Sequence, residues 1–495
     1  MSRIVPALRT TIRALAIVVF VVFCWLEITG KPPGLLSKPP DLCAENHTLS
    51  LTLHASIAGD GKNSFYFNGQ PNAPTLRLSP GDQLNITYVN DLPTKPAASC
   101  ASPPCHDMTN LHFHGLAVPP STPQDDVLNM MAMPGQSLHY SVQIPKDHPP
   151  GLYWYHTHPH GESARQVLDG MSGAIVIEGI ENYVPELRDL RERVMLVRGR
   201  SLTDDARSTL LKQRVELNSH VCGSERDTPN EIFTVNGAVR PPVDIAPGER
   251  QFWRIVNATA DRFLDLDPGG QPFEIVAMDG MPIAYHDPNH RIRVADHVLL
   301  PPAGRLEAIV TGPAAGTRLT SRCVDTGPDG DPNPAMVLAD VVSNFSPSST
   351  RATIGTPQTS SPKTLDLSAE EKVPPRFIVT FTEDKNGFYI NHEKFAPDAP
   401  PMAQVRVGSY QHWRVVNATK ELHPMHIHQV HFLAYAENGR PVSNPVWLDT
   451  VNVPYGGSVD VIMDFTHPII KGLSVFHCHL LNHEDKGMMA KILFE

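Results

Sequence analysis

The sequence predicts an all-β protein of three related domains, and three observations predict it. The chain has 495 residues, enough for about three domains of ordinary size. It carries 48 Pro and 33 Gly among many short alternating runs, with few long helical periods. A pattern of turn, turn and strand also occurs three times. The first copy reads Phe67-Asn68-Gly69, Pro80-Gly81-Asp82 and Tyr88-Val89-Asn90. The second reads Val235-Asn236-Gly237, Pro247-Gly248-Glu249 and then Trp253-Arg254-Ile255-Val256-Asn257-Ala258-Thr259. The third reads Ile390-Asn391-His392, Val407-Gly408 and Trp413-Arg414-Val415-Val416-Asn417-Ala418-Thr419. Words of this kind recur in any β protein, but the two long matched strands favour duplication over chance.

Residues 1–30 read as an export signal or membrane anchor. Arg3, Arg9 and Arg13 precede thirteen apolar residues, 14–26, fewer than the roughly 20 that span a bilayer. No clear Ala-X-Ala follows, which keeps an uncleaved anchor open, and no adjacent Arg pair supports twin-arginine export. Residues 42–180 form the first domain, which closes at Val176-Ile177-Glu178-Gly179. A charged connector from Glu186 to Arg193 leads into the second domain, 190–345. Residues 346–364 are rich in Ser, Thr and Pro and predict a flexible linker. Residues 365–495 form the third domain. A net charge of −11 with a pI near 6.1 argues against a nucleic-acid partner.

The chemistry is concentrated near the C-terminus, in His477-Cys478-His479, with His483 and Met488 downstream. The preceding Leu473-Ser474-Val475-Phe476 reads as a strand, where neighbouring side chains point to opposite faces. Cys478 then binds a metal on one face while His477 and His479 bind metal on the other. A thiolate, two imidazoles and a weak thioether make a blue-copper site. Three more His-X-His pairs are present: His112-Phe113-His114, His156-Thr157-His158 and His426-Ile427-His428, the last close behind His423. On a strand each pair sets both imidazoles on one face. A single pair would read equally well as chance or zinc. Closed zinc sites want four ligands from short Cys/His spacings, whereas here ten His surround one ligand Cys.

These four segments resemble the copper signatures of the multicopper oxidases, the family of laccases, ascorbate oxidases, bilirubin oxidases and cuprous oxidases. The resemblance runs from about Leu49 to the last residue. It implies three cupredoxin-like Greek-key β-sandwich domains and four copper ions. It gives the type 1 copper His423, Cys478, His483 and Met488. The type 2 copper takes His112 and His426. The type 3 pair takes His114, His156, His158, His428, His477 and His479. The three-copper cluster is then expected between the first and third domains, each giving four His, with the second domain, which has no copper motif, as a spacer.

The implied reaction takes single electrons from a small reducing donor at the type 1 copper. Four of them reduce O2 to water at the cluster. Two acids are candidate proton carriers: Glu484, directly after His483, and Asp125 in Gln124-Asp125-Asp126-Val127, with Asp126 as its rival and a solvated surface carboxylate as the plain alternative. Met488 as axial ligand predicts a low-to-middle potential, suited to phenols and aryl amines, bilirubin-like pigments or reduced metal ions. A laccase-like oxidase of phenols and aryl amines is therefore expected. A metal-ion oxidase for Cu(I) or Fe(II) and a bilirubin-oxidase-like activity are the alternatives, and a non-enzymatic copper-binding scaffold would not need the full ligand set. The loop Asn129-Met130-Met131-Ala132-Met133 suggests Cu(I) binding, but Met is also an ordinary gap-filler. Residues 366–423 contain only Met402, which disfavours a cuprous specialisation. His106, His139, His160, His412 and His431 are expected at the surface or behind the ligands.

Seven Cys fit an oxidising compartment. Apart from Cys478 and Cys24, the chain holds Cys43, Cys100, Cys105, Cys222 and Cys323. Cys100 with Cys105 and Cys222 with Cys323 are candidate pairs, and free thiols are the alternative for each.

Overall fold

The computed structural model describes residues 36, 38–71, 73–93, 107–201, 231–343 and 365–495. The N-terminal segment, the Ser/Thr/Pro linker, His106 and Cys24, Cys100, Cys105 and Cys222 lie outside the described residues. Cys323 is disulfide-bonded, whereas Cys43 and Cys478 are free thiols. Among the described residues no helix is long and apolar enough to cross a membrane.

The protein is all-β, with three cupredoxin-like units of two sheets each. Apolar alternation builds them: along Gln83–Asn90 every second side chain, Leu84, Ile86, Tyr88 and Asn90, is buried. A parallel strand pair recurs in each unit: Thr48–Ile57 with Gln83–Asn90, Arg191–Ser201 with Arg250–Asn257, and Phe377–Asp384 with Ser409–Asn417. Parallel neighbours need a crossover, which gives the Greek-key path.

The repeated words have physical jobs. Asn68-Gly69, Asn236-Gly237 and Asn391-His392 all take positive φ at both positions, as tight hairpin turns demand. His392 adopts a φ of 66° where the other two copies use Gly. The Asn that ends each repeat is buried and donates its amide to loop carbonyls: Asn90 to Asp107 and Ala132, Asn257 to Arg262 and Pro301, Asn417 to Glu421 and Val453. In the third unit this tie anchors the residue two before His423.

The metal motifs lie on one sheet of each outer unit. In the first unit the sheet order is Asp41–Cys43, Thr75–Leu78, Ser172–Ile177, Gly151–His156, His112–His114. In the third it is Ala403–Val405, Met489–Phe494, Gly472–Cys478, His423–Ile427, Thr450–Val453. The outer units also join through two short helices, Ser163–Asp169 and Leu481–Asp485. Asp485 accepts from the backbone N–H of Ser163 and Ala164, and Leu481 packs with Ala164 and Val167.

Candidate metal centre

Register decides which rings meet. His112 pairs with His156, and His114 with Trp154, across antiparallel strands. In the third unit His426 pairs with His477, and Met425 with Cys478. The two sheets therefore present rows of imidazoles to each other. Eight rings gather between the outer units: His112, His114, His156, His158, His426, His428, His477 and His479. All eight are fully or almost fully buried.

The nitrogens are arranged for a cation. Nε2 of His477 lies 3.1 Å from Nε2 of His428 and 3.4 Å from that of His158. His112 Nε2, His114 Nδ1, His156 Nε2, His426 Nε2 and both nitrogens of His479 have no hydrogen-bond partner. Buried polar atoms are nearly always paired, so this concentration of lone nitrogens marks an ion site. Burial holds His114, His156, His158, His426, His428 and His479 well below the usual imidazole range and pushes His477 down to about 3. Neutral rings keep a lone pair for metal.

The opposite ring atoms are held by the protein, which fixes the tautomers. His112 Nδ1 donates to Asp125 at 3.0 Å, His156 Nδ1 to the Thr157 carbonyl at 2.9 Å, and His477 Nδ1 to the Cys478 carbonyl at 3.0 Å. His426 Nδ1 donates to the carbonyl of Asp449 at 2.7 Å, and His114 Nε2 to its carboxylate at 3.2 Å.

A second group lies inside the third unit. Cys478 Sγ is 3.4 Å from His423 Nδ1, which is 3.4 Å from His483 Nδ1. Burial pushes the Cys478 thiol up, so the thiolate needs a metal to compensate it. Met488 is buried in the same core, and its carbonyl accepts from the Cys478 N–H. Phe388 stacks on His483 at 3.8 Å. Thiolate, imidazoles and thioether together fit copper better than a hard cation.

Asp125, not Asp126, faces the rings. Asp125 also accepts from the Phe113 N–H and from Gln429, whereas Asp126 ties its own loop to Thr122 and Asn129. Glu484 is buried, takes a hydrogen bond from Ser163, and lies 3.3 Å from His477 Nδ1 and 3.6 Å from His158 Nε2. Burial, then the charge of Asp485, raises it well above the usual carboxyl range. The methionine loop is dispersed, with Met130 in the core of the first unit and Met133 exposed. His412 bonds Asp460, His431 bonds the Asp279 carbonyl, His160 packs beside His158 and Phe395, and His139 is exposed.

Residues 52–182 and 368–495 each match the multicopper oxidase family, together more than half of the chain. The chain belongs to the multicopper oxidase family. It is a copper-dependent oxidoreductase with O2 as acceptor. This multicopper oxidase is 24% identical over 442 residues to a multicopper oxidase of Staphylococcus aureus, covering 88% of this chain and 84% of that one. It is 23% identical over 483 residues to a laccase of Bacillus subtilis (strain 168), covering 86% and 88%. Its fold matches a Campylobacter jejuni multicopper oxidase described as a metallo-oxidase, with TM-score 0.69, 24% identity and coverage of 94% and 96%. It also matches the McoA oxidase of Aquifex aeolicus, with TM-score 0.72, 18% identity and coverage of 94% and 100%.

Sequence reasoning missed the residues behind the rings: Asp449, Arg305, Asp279 and Gln429. Among the described residues the second domain of this oxidase gives no ring to the centre, but its Arg305 and Asp279 bond Asp449 behind the rings. A buried acid inside Trp447-Leu448-Asp449-Thr450-Val451 was the one available signal.

Proposed function

We propose that this multicopper oxidase takes single electrons from phenols and aryl amines and delivers them to O2 through four copper ions. His423, Cys478, His483 and Met488 hold the type 1 ion, His112 and His426 the type 2 ion. His114, His156 and His479 hold one member of the type 3 pair, and His158, His428 and His477 the other. Bound copper supplies the electron storage that lets O2 go to water. Cys478 links the two groups covalently, since His477 and His479 are its chain neighbours. Glu484 and Asp125 carry protons to the buried rings.

The observation that carries the donor class is the outer edge of the type 1 site. A Glu421 oxygen lies 3.6 Å from His483 Nε2, and a Glu383 oxygen 3.9 Å from His423 Nε2. A phenol or aryl amine loses an O–H or N–H proton with its electron, and Glu421, which burial and then the charge of Glu383 raise to about 8, accepts that proton in its ionised form as the electron leaves through the ring. The same two carboxylates support the second reading, a metal-ion oxidase, because hard oxygen ligands also suit a cation. A donor panel on the copper-loaded protein and on Glu421→Gln separates the two. Fast phenol turnover that falls in the variant supports the first. Rates with Fe(II) or Cu(I) above every phenol replace it with the second. The reading includes export. The basic-then-apolar N-terminus and the Cys323 disulfide support it.

A further inference from the structure

Arg305 is fully buried, and all five of its N–H donors are used. Nε reaches the Leu152 carbonyl at 3.2 Å. Nη1 reaches the Ala303 carbonyl at 3.2 Å and Asp449 Oδ1 at 2.8 Å. Nη2 reaches the Asp279 carbonyl at 2.8 Å and Asp449 Oδ2 at 2.6 Å. One guanidinium from the second unit thus bonds the first unit, its own unit and the third.

Asp449 is the hub. Its carboxylate takes the Arg305 fork, the Thr450 hydroxyl and His114 Nε2, while its carbonyl takes His426 Nδ1. It therefore fixes two rings in opposite tautomers: His114 is left with a free Nδ1 and His426 with a free Nε2. Asp279, also from the second unit, aligns this hub by accepting from the backbone N–H of Asp449 and Thr450.

The backbone is built to let this contact happen. A Cβ on Gly115 would lie 2.5 Å from Arg305 Nη2 and 2.6 Å from Asp449 Oδ2. A Cβ on Gly151 would lie 2.4 Å from the Gly280 carbonyl oxygen, and one on Gly280 would strike the Tyr153 ring. Glu307, on the same strand as Arg305, accepts from the Leu152 N–H in the strand that carries His156.

We infer that the second domain is the positioning element of the metal centre. Arg305 and Asp279, acting through Asp449, set the tautomer and aim of one ring from the type 3 set, His114, and one from the type 2 set, His426. This rests on the copper reading proposed above. Lys cannot replace Arg here, because a point charge with three donors cannot hold three units and grip a carboxylate at both oxygens.

The test uses the full copper-loaded chain and the variants Arg305→Lys, Asp279→Asn and Arg193→Lys. Arg193 is a mostly buried arginine of the second unit that bonds Gln251 and Asp244, away from Asp449 and from the strand that carries His156. Copper per chain, the blue type 1 band, the type 2 electron paramagnetic resonance signal and the split of kcat from donor KM are measured. Arg305→Lys is expected to keep the blue band and the donor KM. It should shift the type 2 signal and lower cluster copper affinity and kcat by about 10- to 100-fold. Asp279→Asn, the milder change, should shift the same signal in the same direction and keeps the test informative if the lysine variant does not fold. Arg193→Lys should leave the type 2 signal as in the parent. An unchanged type 2 signal in both Arg305→Lys and Asp279→Asn, or an equal shift in Arg193→Lys, overturns the positioning role while the copper reading stands. A parent protein that binds copper with no type 2 signal overturns the copper reading itself.

Discussion

Cys478 Sγ sits 3.4 Å from His423 Nδ1, while the residues on either side of that cysteine face a different group of rings. Strand alternation produces this split at no cost in chain length. Replacing Cys478 with Ser should abolish the intense blue absorption and donor oxidation, yet leave copper in the eight-ring group. Visible spectra with metal analysis check this, and a Cys478→Ser protein that stays blue would sink the assignment.

The eight-ring group should be separable from the blue site. His156→Ala and His479→Ala each remove a ring whose free nitrogen points into the centre. Both variants should bleach when mixed with donor and fail to recover their colour with O2. Stopped-flow absorbance reads the two phases separately, and normal recovery in either variant contradicts the ligand set.

Glu484 lies against His477 and His158, and its Oε2, the oxygen nearest His477, accepts no hydrogen bond. Glu484→Gln preserves shape but cannot carry a proton in the same way. O2 reduction should slow by about 100-fold or more, with donor-to-blue-site transfer little changed. Asp125→Asn should act in the same direction through His112. Turnover equal to the parent with O2 limiting would return both acids to a structural role.

Met488 lies in the apolar core beside Cys478. Met488→Leu nearly conserves volume, so the fold should lose less than about 1.5 kcal/mol. Removing a weak electron donor should raise the potential of the blue site and extend oxidation to more resistant phenols. Redox titration of parent and variant decides it, and an unchanged or lower potential rejects Met488 as a ligand.

Gly115 follows His114 at a φ of +83°, against Arg305 and Asp449. Gly115→Ala should cost about 1–3 kcal/mol of backbone strain, with added loss from the displaced ion pair. Thermal unfolding should show a lower midpoint. A midpoint equal to the parent's would mean that the close approach relaxes freely.

The clustered rings were legible because they come in words: His-X-His on a strand is local and rare, and alternation alone says where the rings point. The turns and strand ends were legible for the same reason, since Asn-Gly turns and a strand-ending Asn act within a few residues. The groups that hold the rings were not legible. Asp449 and His114 stand 335 residues apart, and Arg305 meets Asp449 across 144. A lone Asp or Arg has no period, and only the packing of three units shows that these charges are buried. For the same reason Asp125 and Asp126 could not be told apart until the loop placed one against His112 and folded the other back on Thr122.

Four of the eight rings belong to each outer unit, and each outer unit has its own apolar core. The complete set exists only after segments hundreds of residues apart have docked. Metal uptake at the eight-ring group would therefore report on finished assembly of both outer units, whereas the Cys478 group, drawn from the third unit alone, would not.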